Sequence, residues 1–171
     1  MAIEINVNDN EIQEKLQELL RKSADLTPAM REIAGFLGTY TKLIFNSEGE
    51  TLSKRWKPLK ESTIKNKVKR GAWLRMILTD SYQLEQSIQQ YHSSKEAGVY
   101  TNKVYAKLHQ FGSKGPVSVP SHTRTRKGKT FTVKAFTMNI NVPARPFFGF
   151  SDEAKKMILN IVLKHLVEES K

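Results

Sequence analysis

The sequence predicts an α+β fold in which an antiparallel sheet with a long β-ribbon packs against two N-terminal helices and one C-terminal helix. Apolar residues recur at helical spacing in residues 10–22, 27–47 and 151–166. Between residues 86 and 141, β-branched and aromatic residues lie beside turn-forming ones, which is typical of hairpins. The length of 171 residues is that of a single domain, so we expect residues 1–171 to form one domain.

The N-terminal elements are predicted from capping residues and apolar stripes. Residues 2–7 alternate apolar and polar side chains, which predicts a short strand at a sheet edge. Residues 8–10 offer N-caps for a first helix, and Thr27 followed by Pro28 is typical of the start of a second. The second stripe is wide, so we expect that helix to be buried on two sides. The stripes are Ile12, Leu16, Leu19 and Leu20, then Met30, Ile33, Leu37, Tyr40 and Ile44 with Phe36, Leu43 and Phe45.

Shorter elements are predicted in the middle of the chain. Residues 61–70 suit a short, very basic helix. Residues 79–81, Thr-Asp-Ser, form an N-cap cluster before a helical turn that includes Leu84 and Ile88. Residues 86–101 suit a hairpin, because β-branched and aromatic residues flank a polar four-residue turn.

A short amphipathic helix is predicted immediately before Gly112. Its apolar face would hold Val104, Tyr105, Leu108 and Phe111, which fall at helical spacing. A glycine in the left-handed conformation commonly ends a helix, so we expect Gly112 to be the C-cap.

A basic β-ribbon is predicted at about residues 113–141, and we expect it to protrude from the domain. Its tip would lie at Lys127-Gly128-Lys129. Pro143 and Pro146 then restrict the backbone before Ser151, the expected N-cap of the last helix. The apolar stripe of that helix is Met157, Ile158, Ile161, Val162, His165 and Leu166.

The charge of the chain is high and unevenly distributed. The net charge is +11; residues 51–134 carry 18 Lys or Arg and 4 Asp or Glu, a net of +14, whereas residues 1–50 carry 5 and 9, a net of −4. Such a positive region attracts nucleic acid or an acidic protein face. The alternative is a solubilising face whose counter-charge lies on a neighbouring subunit.

Several classes of protein are disfavoured. The chain has no cysteine, so it forms no disulfide and no thiolate metal site. Its N-terminus lacks the pattern of a signal peptide, and no stretch is apolar enough to span a membrane. No two histidines have zinc-motif spacing and no glycine-rich phosphate loop is present. We therefore expect no enzyme, no cofactor and no metal.

The basic residues and aromatic side chains leave alternatives open. The ribbon lacks the aromatic residues expected of a protein that reads bases, so any nucleic-acid contact would be to the phosphate backbone and without sequence preference. The ribbon could equally pack on a neighbouring subunit. The candidate subunit-facing or DNA-facing residues are Lys65, Lys67, Lys69, Arg70, Arg124, Arg126, Lys127 and Lys129.

The two tryptophans differ in their expected roles. Trp56 is expected to cover the core, and Trp73 is the better candidate for stacking on a base, with burial in the core as its alternative.

Four segments carry a resemblance to a known family. They are Trp56-Lys57-Pro58-Leu59 followed by Thr63 and Lys65, Leu78-Thr79-Asp80-Ser81-Tyr82-Gln83-Leu84 followed by Ser87-Ile88, Tyr105-Ala106-Lys107-Leu108-His109-Gln110-Phe111-Gly112, and Pro143-Ala144-Arg145-Pro146-Phe147-Phe148-Gly149-Phe150-Ser151. In this order they resemble the phage virion morphogenesis family, the tail-completion proteins of Mu-like and related tailed phages. The resemblance covers about residues 5–168. Ser81 stands where that family usually has glycine.

The resemblance implies a structural subunit without catalytic residues, located in the virion at the tail end or neck and assembled in the bacterial cytoplasm. It further implies a homo-oligomeric ring, of six copies, that completes or terminates the tail and forms the head–tail joining interface. The implied partners are other copies, tail tube or sheath proteins and head-connector proteins, with possible contact to passing DNA and none to a membrane. The scaffold residues of the motifs are Trp56, Pro58, Leu59, Leu78, Leu84, Tyr105, His109, Phe111, Gly112, Pro143, Arg145 and Phe147.

Considered without the resemblance, the residues leave two alternative functions open. The first is a sequence-nonspecific nucleic-acid-binding protein that uses the positive region. The second is a nuclease in which His109 acts as a base. Against the nuclease, we expect the His109 side chain to donate to a backbone carbonyl near the end of its helix.

Overall fold

A computed structural model describes residues 9–69, 77–126 and 128–167 of the chain. Some sequence predictions fall outside these ranges. They are the edge strand at residues 2–7, the first of the three N-cap residues at positions 8–10, the stacking candidate Trp73, and the basic residues Arg70 and Lys127.

The described residues form an α+β structure, as predicted. The helices are α1 (Asp9–Ala24), α2 (Thr27–Asn46), α3 (Glu61–Lys69), α4 (Gln83–Gln86), α5 (Ala106–Phe111) and α6 (Asp152–Val167), with a 3₁₀ turn at Glu50–Leu52. The strands are β1 (Ile88–His92), β2 (Ala97–Thr101), β3 (Ser113–Val119), β4 (His122–Arg126), β5 (Lys129–Val133) and β6 (Phe136–Val142).

Helix α2 is the centre of the packing. It contacts β1 and β2 on one side and α6 on another, which confirms the prediction of two-sided burial. Two other predictions for this helix were wrong, one about its apolar stripe and one about its N-cap. Leu43 is exposed, and Thr27 lies inside the helix, where its backbone N–H and hydroxyl donate to the Asp25 carboxylate. Asp25 therefore supplies the acceptor that the sequence pattern assigned to Thr27.

Two apolar clusters hold the helices together. The larger surrounds Phe45 and Phe147, both fully buried, and includes Trp56 and Leu84. The smaller joins Ile33 and Leu37 of α2 to Ile161 of α6. The predicted stripes of α1 and α6 are partly wrong, because Leu16, Leu20 and Met157 are exposed. Their helices lie at the edge of the packing, so only part of each stripe reaches a neighbour.

The short hairpin β1–β2 confirms the prediction for residues 86–101. Its register runs from Ile88 opposite Thr101 to His92 opposite Ala97, and Ser93 closes the turn through its N–H to the Glu96 carbonyl. The preceding helical turn is shorter than predicted: α4 ends at Gln86, and Ile88 belongs to β1 because it pairs across the hairpin. The N-cap of α4 is Tyr82 rather than residues 79–81, and no side chain caps it.

The predicted ribbon forms two antiparallel pairs along one long hairpin. Strand β3 pairs with β6, from Ser113 opposite Val142 to Val119 opposite Phe136, and β4 pairs with β5 up to the tip. In the described residues each strand pair stands as its own two-stranded sheet. The short hairpin is the β-structure that packs extensively on α2, whereas the ribbon strands contact chiefly one another.

Helix α5 presents a different face to the core than predicted. Val104 precedes the helix and is 94% exposed, and Phe111 is exposed as well. The buried residue is Ala106. Because α5 has only six residues, tertiary contacts of His109 and Gln110 decide its orientation rather than an apolar stripe.

Candidate functional site: the motif joint and the basic ribbon

The four family-like segments meet in one place, which we call the motif joint. It comprises residues 56–59, 78–84, 105–112 and 143–148. A cavity of about 340 Å³ at its centre is lined by side chains from all four segments. The lining includes Leu59, Leu78, Leu84, Tyr105, His109 and Arg145. Sequence segments up to about ninety positions apart are therefore parts of one site.

Gln110 clamps the segment that follows Pro146. Its side-chain carbonyl oxygen accepts from the backbone N–H groups of Phe147 (3.0 Å) and Phe148 (3.1 Å). Its side-chain NH₂ donates to the Phe148 carbonyl at 2.7 Å. One amide side chain thus satisfies three backbone groups that no strand or helix would otherwise pair. Gln110 was not among the predicted scaffold residues, although it lies within the motif beside His109.

Arg145 ties the same segment to two others. Its backbone N–H donates to the His109 carbonyl at 2.7 Å. Its guanidinium donates through Nε (3.3 Å) and Nη2 (3.1 Å) to the Lys57 carbonyl. The side chain is buried; burial lowers the pKa of Arg145, and the Glu48 carboxylate acts in the opposite direction. Arg145 therefore serves as an internal tie between backbone segments, with its charge turned away from solvent.

Trp56 and Phe147 anchor the joint in the core. The Trp56 indole N–H donates to the Pro146 carbonyl at 2.9 Å, and its ring meets Phe45 edge-on at 5.7 Å. The Phe147 ring packs against Phe45 at 5.3 Å between centroids. The aromatic cluster excludes water from the polar ties around it, which strengthens them. Trp56 accordingly covers the core, as its sequence position suggested.

Gly112 is where α5 leaves the joint and the ribbon begins. Its φ of 73° and ψ of 177° differ from the left-handed C-cap that was predicted. This region of backbone conformation is open essentially to glycine alone. A Cβ at Gly112 would also lie 2.7 Å from the Ala144 nitrogen and 2.8 Å from the Val142 carbonyl oxygen. The glycine is therefore required both by backbone conformation and by the close approach of the chain after β6.

The His109 side chain does not make the hydrogen bond that was predicted. Its Nδ1 is buried and has no hydrogen-bond partner among the described residues; instead the backbone carbonyl of His109 accepts from the Arg145 N–H. The ring meets Tyr105 edge-on at 6.0 Å. Burial lowers the pKa of His109, and the positive charge of Arg145 lowers it further. His109 is therefore held as a neutral imidazole at neutral pH.

The burial of His109 predicts a pH dependence of stability. As the pH falls through about 6.5, the imidazole takes up a proton in the unfolded chain before it does so in the folded chain. The free energy of unfolding should then decrease. Arg145, Lys67 and Asp80 line the same cavity, and the positive charge of Arg145 opposes protonation of His109 there. The substitution His109→Gln should flatten this pH dependence, as measured by urea unfolding at a series of pH values.

A matched control is His92→Gln, because His92 is exposed at the end of β1. This substitution should leave the slope of stability against pH as it is in the natural chain. An equal slope in His109→Gln and the natural chain would contradict the assignment.

The candidate basic residues divide into two groups. Lys67 is only 6% exposed, and its Nζ lies 3.7 Å from Asp80, so its assignment to a DNA-facing or subunit-facing surface was wrong for the isolated chain. Lys65, Lys69, Arg124, Arg126 and Lys129 are exposed. On the distal half of the ribbon, Arg126 lies opposite Lys129 and Arg124 opposite Phe131, which places these four on one face.

Comparison with known proteins decides the family. The phage virion morphogenesis family model matches residues 7–167. The chain belongs to this family. It is therefore a phage structural protein that serves virion morphogenesis, as the motifs indicated.

One relative supports this membership of the phage virion morphogenesis family. The chain is 31% identical over 159 residues to "Mu-like prophage FluMu G protein 2" of Haemophilus influenzae strain Rd, covering 93% of this chain and 91% of the relative. No solved structure matches the chain.

Within residues 9–69, 77–126 and 128–167, no three or more His, Cys, Asp or Glu side chains are grouped so that they could hold a metal ion. None of the helices in this described part of the chain has both the length and the apolarity that crossing a membrane requires.

Proposed function

We propose that this protein completes or terminates the phage tail and forms the head–tail joining interface as a closed ring, of six copies. It acts in assembly and performs no catalysis. The partners are further copies of the chain, tail tube or sheath proteins and the head connector. Contact with passing DNA would be to the phosphate backbone and independent of sequence.

The main support for this proposal is that the motif joint anchors both ends of the basic ribbon. Gly112 immediately precedes β3, and residues 143–148 immediately follow β6, so both ends of the ribbon are anchored at the joint. The polar groups of Gln110 and Arg145 are bonded to backbone atoms. Those motif residues therefore hold a projecting element in place, which supports a role in assembly.

The charge distribution supports contact between copies. Residues 1–50 carry a net charge of −4 and residues 51–134 a net of +14. In a closed ring each interface joins two different surfaces, so an acidic region of one copy can meet a basic region of the next. We assign part of this contact to Lys65 and Lys69, which are exposed on α3.

The test is the assembly state of the purified protein. Negative-stain microscopy should show rings, and light scattering should show their mass falling as the salt concentration rises. The double substitution Lys65→Glu and Lys69→Glu should reduce ring formation. Lys95→Glu, at the exposed turn of the short hairpin, is the matched control and should assemble normally. A chain that stays monomeric at every concentration would refute the ring.

A second candidate function is sequence-nonspecific nucleic-acid binding. It is favoured by one feature, the exposed face of Arg124, Arg126, Lys129 and Phe131 on the distal ribbon. A gel-shift titration against salt separates the two functions, because phosphate contacts weaken steeply as salt rises. Steeply salt-dependent binding by a monomer would favour this candidate, whereas a defined ring with negligible binding favours the assembly role.

A further inference from the structure

The proximal half of the ribbon, β3 with β6, has one apolar face. Side chains of directly opposite residues lie on the same side of a two-stranded pair, and successive residues alternate sides. The register therefore separates two sets of residues. The apolar ribbon face carries six apolar side chains, Val117, Val119, Phe136, Met138, Ile140 and Val142, together with Ser113 and Gly115 at its base. The opposite, polar face consists of Lys114, Pro116, Ser118, Thr137, Asn139 and Asn141.

The apolar ribbon face is only partly covered by the described part of the chain. Val117, Phe136 and Met138 are 40%, 45% and 44% exposed, whereas Val119, Ile140 and Val142 are half-buried, and α2 packs on the short hairpin and α6 instead. An isolated two-stranded hairpin is at best marginally stable in water, and needs packing on its apolar face. A face with this pattern is thus expected to be covered in the working assembly.

Helix α6 carries a second apolar surface that is exposed in the part of the chain that the structure describes. Leu159, Leu163 and Val167 recur every four residues and form what we call the outer stripe. Leu159 and Val167 are 56% and 64% exposed, whereas Ala154 and Ile161 on the other side of the helix are buried in this chain. A helix that is apolar on both sides is characteristic of one buried on both sides.

We propose that the apolar ribbon face of one copy packs across the outer stripe of α6 in a second copy. The inference rests on the proposed ring, because a head-to-tail ring needs two different complementary surfaces on the same chain. Each copy would then supply a ribbon to one neighbour and receive the ribbon of the other.

Charge complementarity favours a second copy as the occupant. Helix α1 packs on α6, and its exposed side bears Glu14. The five-residue strands of the distal ribbon extend about 17 Å at about 3.4 Å per residue. That length exceeds the 8–10 Å between packed helices, so a ribbon that crosses α6 towards α1 is long enough to bring Arg124 and Arg126 to α1 on the same neighbour.

The size of the contact agrees with a composite interface. Seven residues of β3 extend about 24 Å, and a two-stranded ribbon is about 10 Å wide, so its face covers on the order of 240 Å². A stable interface buries about 800 Å² per partner. The ribbon contact therefore accounts for a part of the interface, and the charged contacts described above supply another.

The test uses the absence of cysteine from the chain. One preparation carries Met138→Cys and a second, distinguished by a tag that changes its size, carries Leu163→Cys. The mixture is allowed to assemble and is then oxidised. A disulfide-linked mixed dimer on a non-reducing gel is the expected result.

The matched controls move each cysteine by one residue. Asn139→Cys lies on the polar face of the same strand, and Lys164→Cys is exposed about 100° around α6 from Leu163. A mixture of these two variants should not cross-link. Equal cross-linking in both mixtures, or none in either, would overturn the proposal. Homodimers of Met138→Cys would also overturn it, because they would indicate ribbon-to-ribbon pairing.

A second measurement separates this inference from the ring itself. Met138→Asp should lose the assembled species in light scattering while circular dichroism shows a folded chain, and Asn139→Asp should assemble. If the natural chain forms rings and Met138→Asp does too, the ribbon contact is wrong and the ring stands. If the mixed dimer forms but microscopy shows no rings, the contact stands and the ring is wrong.

Discussion

Replacing Gly112 by alanine is expected to destabilise the protein by about 3 kcal/mol or more, through backbone strain and overpacking together. The backbone at Gly112 has a conformation that L-residues avoid, with φ of 73° and ψ of 177°. The added Cβ would lie 2.7 Å and 2.8 Å from backbone atoms of Ala144 and Val142. Backbone atoms cannot move aside as a side chain can, so the chain after β6 must shift. Urea unfolding measures the loss.

The control for this prediction is Gly128→Ala near the ribbon tip. Gly128 has nearly the same φ, 74°, but a Cβ there would meet nothing within 4 Å. Its cost should be about 1 kcal/mol, from the left-handed conformation alone. Equal losses in the two variants would show that the contact with Val142 and Ala144 has no energetic consequence.

The second large effect is expected for Gln110→Ala, at about 3 kcal/mol, because three backbone groups lose their partners. Those groups are the N–H of Phe147 and the N–H and C=O of Phe148. They lie beside the fully buried Phe147 ring, where water does not readily replace the lost bonds. Denaturant unfolding gives the magnitude. Ring formation by the same variant should also fall, because the segment anchors the end of the ribbon.

Two further variants make the Gln110 prediction specific. Gln110→Glu keeps the acceptor for Phe147 and Phe148 but replaces the donor to the Phe148 carbonyl by a second oxygen, so it should also destabilise. Lys107→Ala lies in the same helix and is exposed; it should change stability by less than about 0.5 kcal/mol. If Gln110→Ala were as stable as Lys107→Ala, the clamp would have no role in folding.

The long, periodic elements could be predicted from the sequence because local rules suffice for them. Helices α2 and α6 follow from apolar spacing, and the predicted cap of α6 is present, with the Ser151 hydroxyl accepting from the Ala154 N–H at 3.2 Å. The short hairpin follows from its polar turn and strand-forming residues. In each case residues within about ten positions of one another carry the pattern.

The motif joint could be predicted only in outline. The resemblance brought Arg145 and His109 into one candidate set, but it did not say that their segments touch. Lys67 illustrates the reason: it belongs to a run of basic residues, so it was assigned to the surface, yet the structure buries it beside Asp80. Lys67 and Asp80 are thirteen residues apart, and their contact depends on how the chain folds back on itself. Composition and local spacing do not predict that path.

By itself, the sequence determined the fold class, the two hairpins, the family and the basic character of the ribbon. Each of these depends on residue types, their order and their local spacing. Only the tertiary structure decided which side of α5 faces inward, that Gln110 clamps the segment after Pro146, and that one ribbon face is apolar and partly exposed. These features arise from strand register and from contacts between residues far apart in the chain. A one-residue change in register would exchange the two ribbon faces without altering the sequence pattern.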